Sequence, residues 1–320
     1  MKVSVVIPTH DRRPWLELTL RSVLRQHHDN LEVIVVDDGS TDDTAETLAA
    51  LSDARVRVIR HDAPRGVGAS RNDGAARARG EWIAFVDDDD VWAPDKLARQ
   101  LEAAHATGRA WVYAGSVQVD EHSRIVGGRP PPPPEAVARL IARSNVIPGG
   151  CSNVIVRRDA FERVGPFDLR LKNTEDWEMW IRLNEHGPPA WVPRPLVGYR
   201  LHGGQASLDL AAILEGVSII ERRHGTRADR GVVHRWIAEV CLRNGDRRRA
   251  VTHMVIAAMH GQAVNVAGDA ATIVRRRLHL DRASAEPQRS HREWIEEART
   301  WVDELRAADW NAAGHGDDPG

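Results

Sequence analysis

Cysteine is scarce in this 320-residue sequence, which contains only Cys151 and Cys241. Two cysteines so far apart form no CxxC pair, no zinc-ligand spacing and no disulfide framework. We therefore expect two small, buried thiols in a protein of a reducing compartment.

Long apolar runs and a strong charge excess are also missing. No stretch approaches the roughly 18 apolar residues that are needed to span a bilayer. Residues 1–4 lead straight into a strand-like run and not into a signal peptide. The formal net charge of −2 provides no overall attraction for nucleic acid or for an anionic membrane. We expect a soluble, cytoplasmic protein with no nucleic-acid partner and no transmembrane segment.

Two common nucleotide-binding motifs are absent near the first strand-like run, which covers residues 3–7. No GxGxxG follows it, and this argues against a dinucleotide-dependent dehydrogenase. No glycine-rich loop with a lysine follows it either, which argues against a P-loop NTPase and counts against a nucleotidyltransferase.

Strand and helix patterns alternate over the first 95 residues. Short apolar runs predict strands at 3–7, 33–36, 56–59 and 82–86, with helical patterns at 16–24, 40–49 and 69–78 between them. In the second of these helical patterns, Ser40 is placed to cap the helix. The alternation predicts an α/β fold with a mostly parallel sheet flanked by helices. Weaker strand patterns follow at 111–113, 154–156 and 191–192.

Acidic residues follow two of these strands directly. Asp37 and Asp38 come after residues 33–36, and four aspartates at 87–90 come after residues 82–86. Ligands of open α/β sheets bind beyond the carboxyl ends of the strands. A divalent cation is the simplest way to compensate so many carboxylates, because hard cations prefer oxygen ligands.

The last third of the chain changes to helical patterns. Residues 232–242 and 250–259 predict a hairpin in which Gly245 ends the first helix. An apolar stripe at 294–305 is backed by a largely acidic face, so it is predicted to pack on the chain's own body or on a second subunit, as in a possible homo-oligomer. The five prolines at 130–134 predict a surface spacer or the rim of a substrate cleft. Residues 315–320 are expected to form a disordered tail.

Five segments taken in order resemble the family 2 glycosyltransferases, which have the nucleotide-sugar-binding GT-A fold. They are Val5-Val6-Ile7-Pro8-Thr9, residues 33–42, Ala69-Ser70-Arg71-Asn72-Asp73-Gly74, residues 80–90 and Thr174-Glu175-Asp176-Trp177. The resemblance covers roughly residues 2–203. It implies a glycosyltransferase domain at 1–205, with a nucleotide-sugar and metal half at about 1–95 and an acceptor half at about 96–205. Residues 206–320 then form a helical C-terminal region.

The resemblance also implies a metal site that uses Mn²⁺ or Mg²⁺. The DxD element of the family matches residues 87–89, so Asp89 is expected to bind the cation and Asp88 to lie beside the ribose or sugar of the donor. A solvated acidic turn is the alternative for such a cluster. His202 is expected to be a further metal or diphosphate contact, and an exposed loop histidine is its alternative.

Other residues are expected to bind the nucleotide sugar. By the resemblance, Asp38 accepts a ring N–H of the base, and Thr9 and Asp11 lie on the loop that wraps the base. Arg71 is expected to meet a phosphate or a base carbonyl, unless it forms a structural ion pair with an acid at a strand end. Glu175 is expected to contact the donor beside the catalytic residue.

Asp176 is the expected general base. The resemblance gives this role to the aspartate of the Glu175-Asp176 pair, which would lie in the first turn of a helix; the alternative is a helix N-cap. The leading hypothesis is a metal-dependent, inverting enzyme that moves a sugar from a UDP- or dTDP-sugar to a hydroxyl or amine. The acceptor can be a saccharide, a glycolipid or a small natural product. The rival hypotheses are a nucleotidyltransferase and a non-catalytic nucleotide-sugar-binding protein.

Overall fold

The computed structural model describes residues 1–203, 209–267 and 289–312. Its strands form a nine-stranded sheet. They are β1 (Val3–Thr9), β2 (Leu31–Asp37), β3 (Val56–Arg60), β4 (Trp82–Phe85), β5 (Val91–Trp92), β6 (Trp111–Val119), β7 (Ile125–Arg129), β8 (Ile155–Arg157) and β9 (Ala190–Arg200). Their order is β3-β2-β1-β4-β8-β6-β9-β5, and β7 pairs with β6.

Helices connect the strands and then continue beyond the last of them. They are α1 (Arg13–Leu24), α2 (Thr44–Ala49), α3 (Val67–Ala76), α4 (Lys96–Thr107), α5 (Pro134–Leu140), α6 (Arg158–Val164), α7 (Glu175–His186), α8 (Leu210–His224), α9 (Arg230–Arg243), α10 (Arg247–Ala257) and α11 (Arg289–Ala312). A short 3₁₀ turn, Gly150–Asn153, precedes β8. No helix in the described ranges is both long and apolar enough to cross a membrane.

The parallel part of the sheet brings the predicted acidic residues together. β1 lies between β2 and β4 and is parallel to both, with Val6 beside Ile34 on one side and Phe85 on the other. The ends of β2 and β4 therefore meet at one edge. Every residue of β1, β2 and β4 is buried, as expected for parallel strands that are covered on both faces.

The other half of the sheet is mixed. β8 runs antiparallel to β4 and β6, β5 runs antiparallel to β9, and β6 is parallel to β9. The predicted fold class is confirmed. The strands that pair only in parallel with their neighbours before residue 90 are β1, β2 and β3, and β4 is parallel to β1. The antiparallel pairings arise where the chain returns across the sheet after β4.

The prediction that Ser40 caps a helix is wrong. Helix α2 begins only at Thr44, and its N-cap residue Asp43 makes no side-chain capping bond. The Ser40 hydroxyl accepts a hydrogen bond from the Asp11 N–H, and the Ser40 N–H donates to Oδ1 of Asp37. Ser40 therefore links the loop after β2 to the loop after β1. These nearby partners satisfy its polar groups before the helix starts.

Each face of the sheet has its own hydrophobic cluster. Side chains alternate along a strand, so Val5 and Val33 join one cluster and Val6 and Ile34 join the other. The first cluster includes Trp294, Ala298, Trp301 and Val302 of α11. The second includes Trp177 and Trp180 of α7 together with residues of α8 and α9. The C-terminal helices thus share the core of the sheet.

The apolar stripe of α11 packs against the chain's own body, which was one of the two predicted alternatives. Trp294 Nε1 donates to the Ser116 carbonyl at 3.2 Å, and Trp301 Nε1 donates to the Pro195 carbonyl at 3.1 Å. A Cβ at Gly115 would lie 2.1 Å from the Trp294 ring. Only glycine leaves room for this ring against the sheet.

Other predictions concern the helical hairpin, the cysteines, the proline run and the tail. α9 and α10 form the predicted hairpin, and Gly245 between them has φ +74°. Cys151 and Cys241 are free and buried, as predicted. The proline run ends at Pro134, where α5 begins, and the Tyr113 hydroxyl donates to the Pro132 carbonyl. The predicted tail at 315–320 lies outside the described residues.

Candidate active site

A cavity of about 270 Å³ opens beyond the carboxyl ends of β1, β2 and β4. It is lined by the loops that follow these strands, by the first turns of α3 and α7, and by the 3₁₀ turn before β8. The lining residues are Pro8, Thr9, His10, Arg12, Asp38, Val67, Ser70, Arg71, Asp87, Asp88, Asp89, Gly150, Cys151, Asn173, Glu175, Asp176 and Tyr199.

Most of the residues that the sequence singled out line this one cavity. They are Thr9, Asp38, Arg71, Asp88, Asp89, Glu175 and Asp176. They come from segments up to 167 positions apart in the chain, from 9 to 176. Asp11 and His202 are absent from the lining. The cavity is thus assembled by the fold, as the strand-end argument predicts.

Asp11 acts on the neighbouring loop. It has a left-handed backbone conformation with φ +51°. Its Oδ1 accepts hydrogen bonds from the backbone N–H groups of Thr41 and Asp42, at 2.6 and 3.2 Å. The bond from Thr41 is the main reason that the pKa of Asp11 is lowered. The predicted contact between Asp11 and a nucleotide stays a prediction.

Asp38 holds the loop between β3 and α3. Its Oδ1 lies 2.6 Å from Nδ1 of His61 and accepts from the Arg65 N–H, and its Oδ2 accepts from the Gly66 N–H at 2.7 Å. Burial opposes the ionised form, but these hydrogen bonds outweigh it and lower the pKa of Asp38. A carboxylate oxygen has two lone pairs, so Oδ2 can accept one more N–H, as the predicted base contact requires.

Arg71 forms the structural ion pair that was one of its two predicted alternatives. The side chain is buried, Nη1 donates to Oε1 of Glu175 at 2.7 Å, and Nη2 donates to Oδ1 of Asp87. Its guanidinium carbon lies 5.7 Å from the centre of the Phe167 ring. Arg71 therefore joins the end of β4 to the start of α7.

Glu175 retains one unused acceptor. Its Oε2 is buried and has no hydrogen-bond partner among the residues that the structure describes, although Oε1 is paired with Arg71. Leaving a buried carboxylate oxygen without a partner is unfavourable. Because Glu175 lines the cavity, a small rotation of its carboxylate would offer this oxygen to a hydroxyl or N–H of a bound ligand.

Asp89 lies between two side chains that the fold brings from distant positions. Its Oδ2 is 2.9 Å from Nε2 of His202 and 2.6 Å from Nη1 of Arg12. Arg12 also reaches Oδ1 of Asp88 at 3.3 Å. Sequence reasoning missed Arg12. The signal was available, since four adjacent acids call for a positive partner and Arg12 follows Thr9 on the adjacent loop.

The donor atoms present suit a cation that is shared with a substrate. Among the residues that the structure describes, no group of three or more His, Cys, Asp or Glu side chains is arranged as a complete metal site. Asp89 and His202 nevertheless place an oxygen and a nitrogen ligand side by side. Mg²⁺ commonly uses one or two protein carboxylates and completes its coordination with phosphate oxygens. The residues therefore fit a metal that binds together with a diphosphate.

Asp88 and Asp90 are both buried, but their surroundings differ. Burial and the charge of Asp89 raise the pKa of Asp88 to about 7, against the opposing effect of Arg12. Burial also raises the pKa of Asp90, which accepts from the Ser152 hydroxyl and from the Arg200 N–H. Asp90 thus joins β4, β9 and the 3₁₀ turn as an internal structural group.

Asp176 lies in the first turn of α7 and on the cavity wall. It is not the N-cap residue, which is Thr174, so the N-cap alternative is wrong. Asn145 Nδ2 donates weakly to its Oδ2 at 3.5 Å. Burial and the adjacent charge of Glu175 raise the pKa of Asp176 to about 7, while Arg71 lowers it. A carboxylate with such a pKa can accept a proton near neutral pH.

Comparisons with known proteins agree with this geometry. The family model described as Glycosyl transferase family 2 matches residues 4–165. The putative teichuronic acid biosynthesis glycosyltransferase TuaG of Bacillus subtilis is 32% identical over 210 residues, covering 62% of this chain and 79% of TuaG. The Escherichia coli enzyme WfaP is 26% identical, and the match covers 72% of this chain and 90% of WfaP. WfaP is named a UDP-Glc:alpha-D-GlcNAc-diphosphoundecaprenol beta-1,3-glucosyltransferase.

Solved structures share the fold. S. aureus TarS 1–349 in complex with UDP-GlcNAc has a TM-score of 0.58 at 17% identity and covers 81% of each chain. The mannosyltransferase PcManGT from Pyrobaculum calidifontis, in complex with GDP-Man and Mn²⁺, has a TM-score of 0.55 at 18% identity. The match covers 96% of this chain and 86% of the PcManGT chain. These GT-A type neighbours confirm the predicted fold class.

Proposed function

Because the chain belongs to glycosyl transferase family 2 and is a glycosyltransferase, we propose that it transfers a sugar from a UDP-sugar with inversion, in a metal-dependent reaction. The convergence of Asp88, Asp89 and Asp176 on one cavity carries this proposal. UDP is favoured over dTDP because TarS is described with UDP-GlcNAc and WfaP is named for UDP-Glc.

Asp89 and His202 are the proposed protein ligands of Mn²⁺ or Mg²⁺. Bound there, the cation would neutralise charge that develops on the departing diphosphate. Asp88 borders the same corner of the cavity and is proposed to face the ribose or the sugar of the donor. Asp38 is proposed to accept the uracil N–H on its remaining Oδ2 lone pair.

Asp176 is the proposed general base. The acceptor oxygen attacks the anomeric carbon and forms the new C–O bond, while the bond from that carbon to the diphosphate oxygen breaks. Asp176 takes the hydroxyl proton, and the nucleoside diphosphate leaves with the bonding electron pair. Attack from the face opposite to the leaving group inverts the anomeric centre. Glu175 Oε2 is proposed to accept a hydroxyl of the bound sugar.

A glycolipid is the favoured acceptor. WfaP and WfgD of Escherichia coli are both named for alpha-D-GlcNAc-diphosphoundecaprenol as acceptor. We therefore favour a sugar linked through diphosphate to a polyprenol over a free saccharide or a small natural product. The acceptor side of the cavity is proposed to be the half contributed by residues 96–205, where Gly150 lies next to Asp176.

We also propose a division into two parts, a homo-oligomer and a cytoplasmic location. The division at residue 205 separates the proposed catalytic part from the helical part, although both share hydrophobic clusters. A homo-oligomer through the C-terminal helices is supported by exposed Val251 and Val255 on α10. A cytoplasmic location is supported by the two free, buried cysteines, since reducing compartments keep thiols unpaired.

A donor screen tests the function. UDP-, dTDP- and GDP-sugars are compared by thermal shift with and without Mn²⁺, because a true donor stabilises the folded state by mass action. The selected donor is then incubated with a GlcNAc-diphosphopolyprenol acceptor. We expect UDP release and a glycosylated lipid only when Mn²⁺ or Mg²⁺ is present. Release of a sugar 1-phosphate would instead indicate nucleotidyl transfer, because UMP would then move to the acceptor. Stabilisation by no nucleotide sugar would contradict the proposal.

A further inference from the structure

Arg12 occupies the acidic corner where the cation is proposed to bind. Its Nη1 lies 2.6 Å from Oδ2 of Asp89 and 3.3 Å from Oδ1 of Asp88, and it lines the cavity. Both aspartates are buried. Buried carboxylates that repel each other need a nearby positive charge. In this conformation, Arg12 compensates much of the negative charge of Asp88 and Asp89. From the sequence, a metal ion alone is expected to do this.

The backbone of Arg12 is held at the start of α1, and its side chain is partly exposed. Its carbonyl accepts hydrogen bonds from the N–H groups of Trp15 and Leu16 at the start of α1. The side chain is 24% exposed, which is more than either of its acidic partners. Its guanidinium carbon is 5.9 Å from the centre of the Trp15 ring. A turn of the side chain would therefore change its partners and leave these backbone hydrogen bonds in place.

A divalent cation and Arg12 compete for the same oxygen. A cation on Oδ2 of Asp89 would lie within a few ångströms of the guanidinium, and like charges at that distance repel strongly at a site with little water. Binding of the cation thus requires Arg12 to withdraw. A diphosphate that arrives beside the cation offers the displaced guanidinium a new anionic partner, and arginine is well suited to bind phosphate oxygens in a bidentate manner.

We propose that Arg12 is an exchangeable counter-ion, which pairs with Asp88 and Asp89 in the empty site and with the donor diphosphate when a divalent cation replaces it. This inference rests on the proposed function. It makes the diphosphate and the cation bind cooperatively, because each helps to move Arg12 to its second position. By linkage, the same factor describes the effect of either ligand on the other.

A titration of the full chain with Mn²⁺ tests this exchange. Binding is measured from the EPR signal of free Mn²⁺, once with UDP and once without it. Arg12→Gln removes the charge and keeps most of the length. We expect it to bind Mn²⁺ alone about threefold or more tighter than wild type, and to lose about fivefold or more of the cooperativity with UDP. Arg12→Lys keeps the charge and should retain part of the cooperativity.

Arg13→Gln is the matched control, because Arg13 pairs with Glu17 and is not among the cavity residues. It should behave as wild type in both titrations. Circular dichroism and a thermal melt verify that each variant is folded, and Arg12→Met replaces any variant that is not. These readouts measure binding and do not depend on turnover.

The possible outcomes separate this inference from the proposed function. Equal or weaker Mn²⁺ binding by Arg12→Gln, with unchanged cooperativity, would overturn the role of Arg12 and leave a metal-dependent transferase intact. The same changes in Arg13→Gln would also overturn it. If wild type bound UDP but no Mn²⁺ under any condition, the metal dependence itself would be wrong, and the exchange would be wrong with it.

Discussion

Arg71 Nη1 donates a hydrogen bond to Oε1 of Glu175 at 2.7 Å, although 104 positions separate the two residues. Arg71 also pairs with Asp87 at the end of β4. The first turn of α7 is therefore tied to the strand that carries the proposed metal-binding carboxylates. Since Asp176 follows Glu175 directly, this ion pair sets the position of the proposed base relative to the donor.

The pH dependence of transfer reports on Asp176. Its pKa is raised to about 7, so a base that must be ionised loses activity as the pH falls below 7. With saturating donor and Mn²⁺, kcat/KM for the acceptor should be about tenfold lower at pH 6 than on its plateau. Donor binding is measured over the same range, because the pKa of Asp88 is also raised to about 7 and its titration has to be separated from that of Asp176. A profile that stayed flat down to pH 5.5 would contradict the assignment.

Asp38→Ala should weaken both the fold and nucleotide binding. The change leaves the N–H groups of Arg65 and Gly66 without their acceptor. We expect a loss of about 2 kcal/mol in the free energy of unfolding, measured by urea denaturation, and weaker binding of UDP. Asp62→Ala is the control, because Asp62 is an exposed residue beside His61. Equal stability of the two variants would show that Asp38 does not hold the loop.

Gly216→Ala should disturb the site from outside the five segments that resemble the family. A Cβ at Gly216 would lie 2.1 Å from Oγ1 of Thr174, the residue just before Glu175. Relief of this clash has to move α8 or the first turn of α7, at about 1–3 kcal/mol. We expect slower transfer and a lower melting temperature.

The neighbouring substitution Glu215→Ala is the control for Gly216→Ala. Glu215 is exposed on the same helix, so its replacement should leave both the transfer rate and the melting temperature near wild-type values. If Gly216→Ala matched that control in rate and stability, α8 would have no influence on the position of Asp176.

Trp301→Ala tests whether α11 belongs to the core. The ring packs near Gly198, and its Nε1 donates to the Pro195 carbonyl. Truncation of a buried tryptophan removes about 3–5 kcal/mol of stability, which urea denaturation can measure. Thr300→Ala, at an exposed position of the same helix, should have little effect. A cost below about 1 kcal/mol for Trp301→Ala would mean that α11 is only loosely attached.

Much of the fold follows from local patterns. The strands at 3–7, 33–36 and 82–86 were predictable because buried parallel strands appear as continuous apolar runs. Their acidic ends were predictable as neighbours because parallel strands align their carboxyl ends. The antiparallel return through β8 was not predictable, because three residues carry no signal for the strand with which they pair. Ser40 was assigned to a helix cap because local spacing does not show a competing partner such as Asp11.

The residues of the candidate site were only partly predictable. Asp38, Asp89 and Asp176 could be named because a family resemblance identified their segments. The four adjacent acids indicated that a positive partner was needed, but the sequence does not show which loop cation reaches them, so Arg12 was missed. The pairing of Arg71 with Glu175 was equally hidden, since the sequence left open whether Arg71 meets a ligand or an acid.

Asp176 is proposed to take the proton from the acceptor hydroxyl, and donor binding in the same cavity is proposed not to need its carboxylate. Asp176→Asn keeps the shape of the side chain and removes its basicity. Donor binding by calorimetry and sugar transfer should be measured on the same preparation, with Mn²⁺ present. The account predicts donor affinity within about twofold of wild type and transfer lower by about 10²–10⁴-fold. Transfer at the wild-type rate would contradict it.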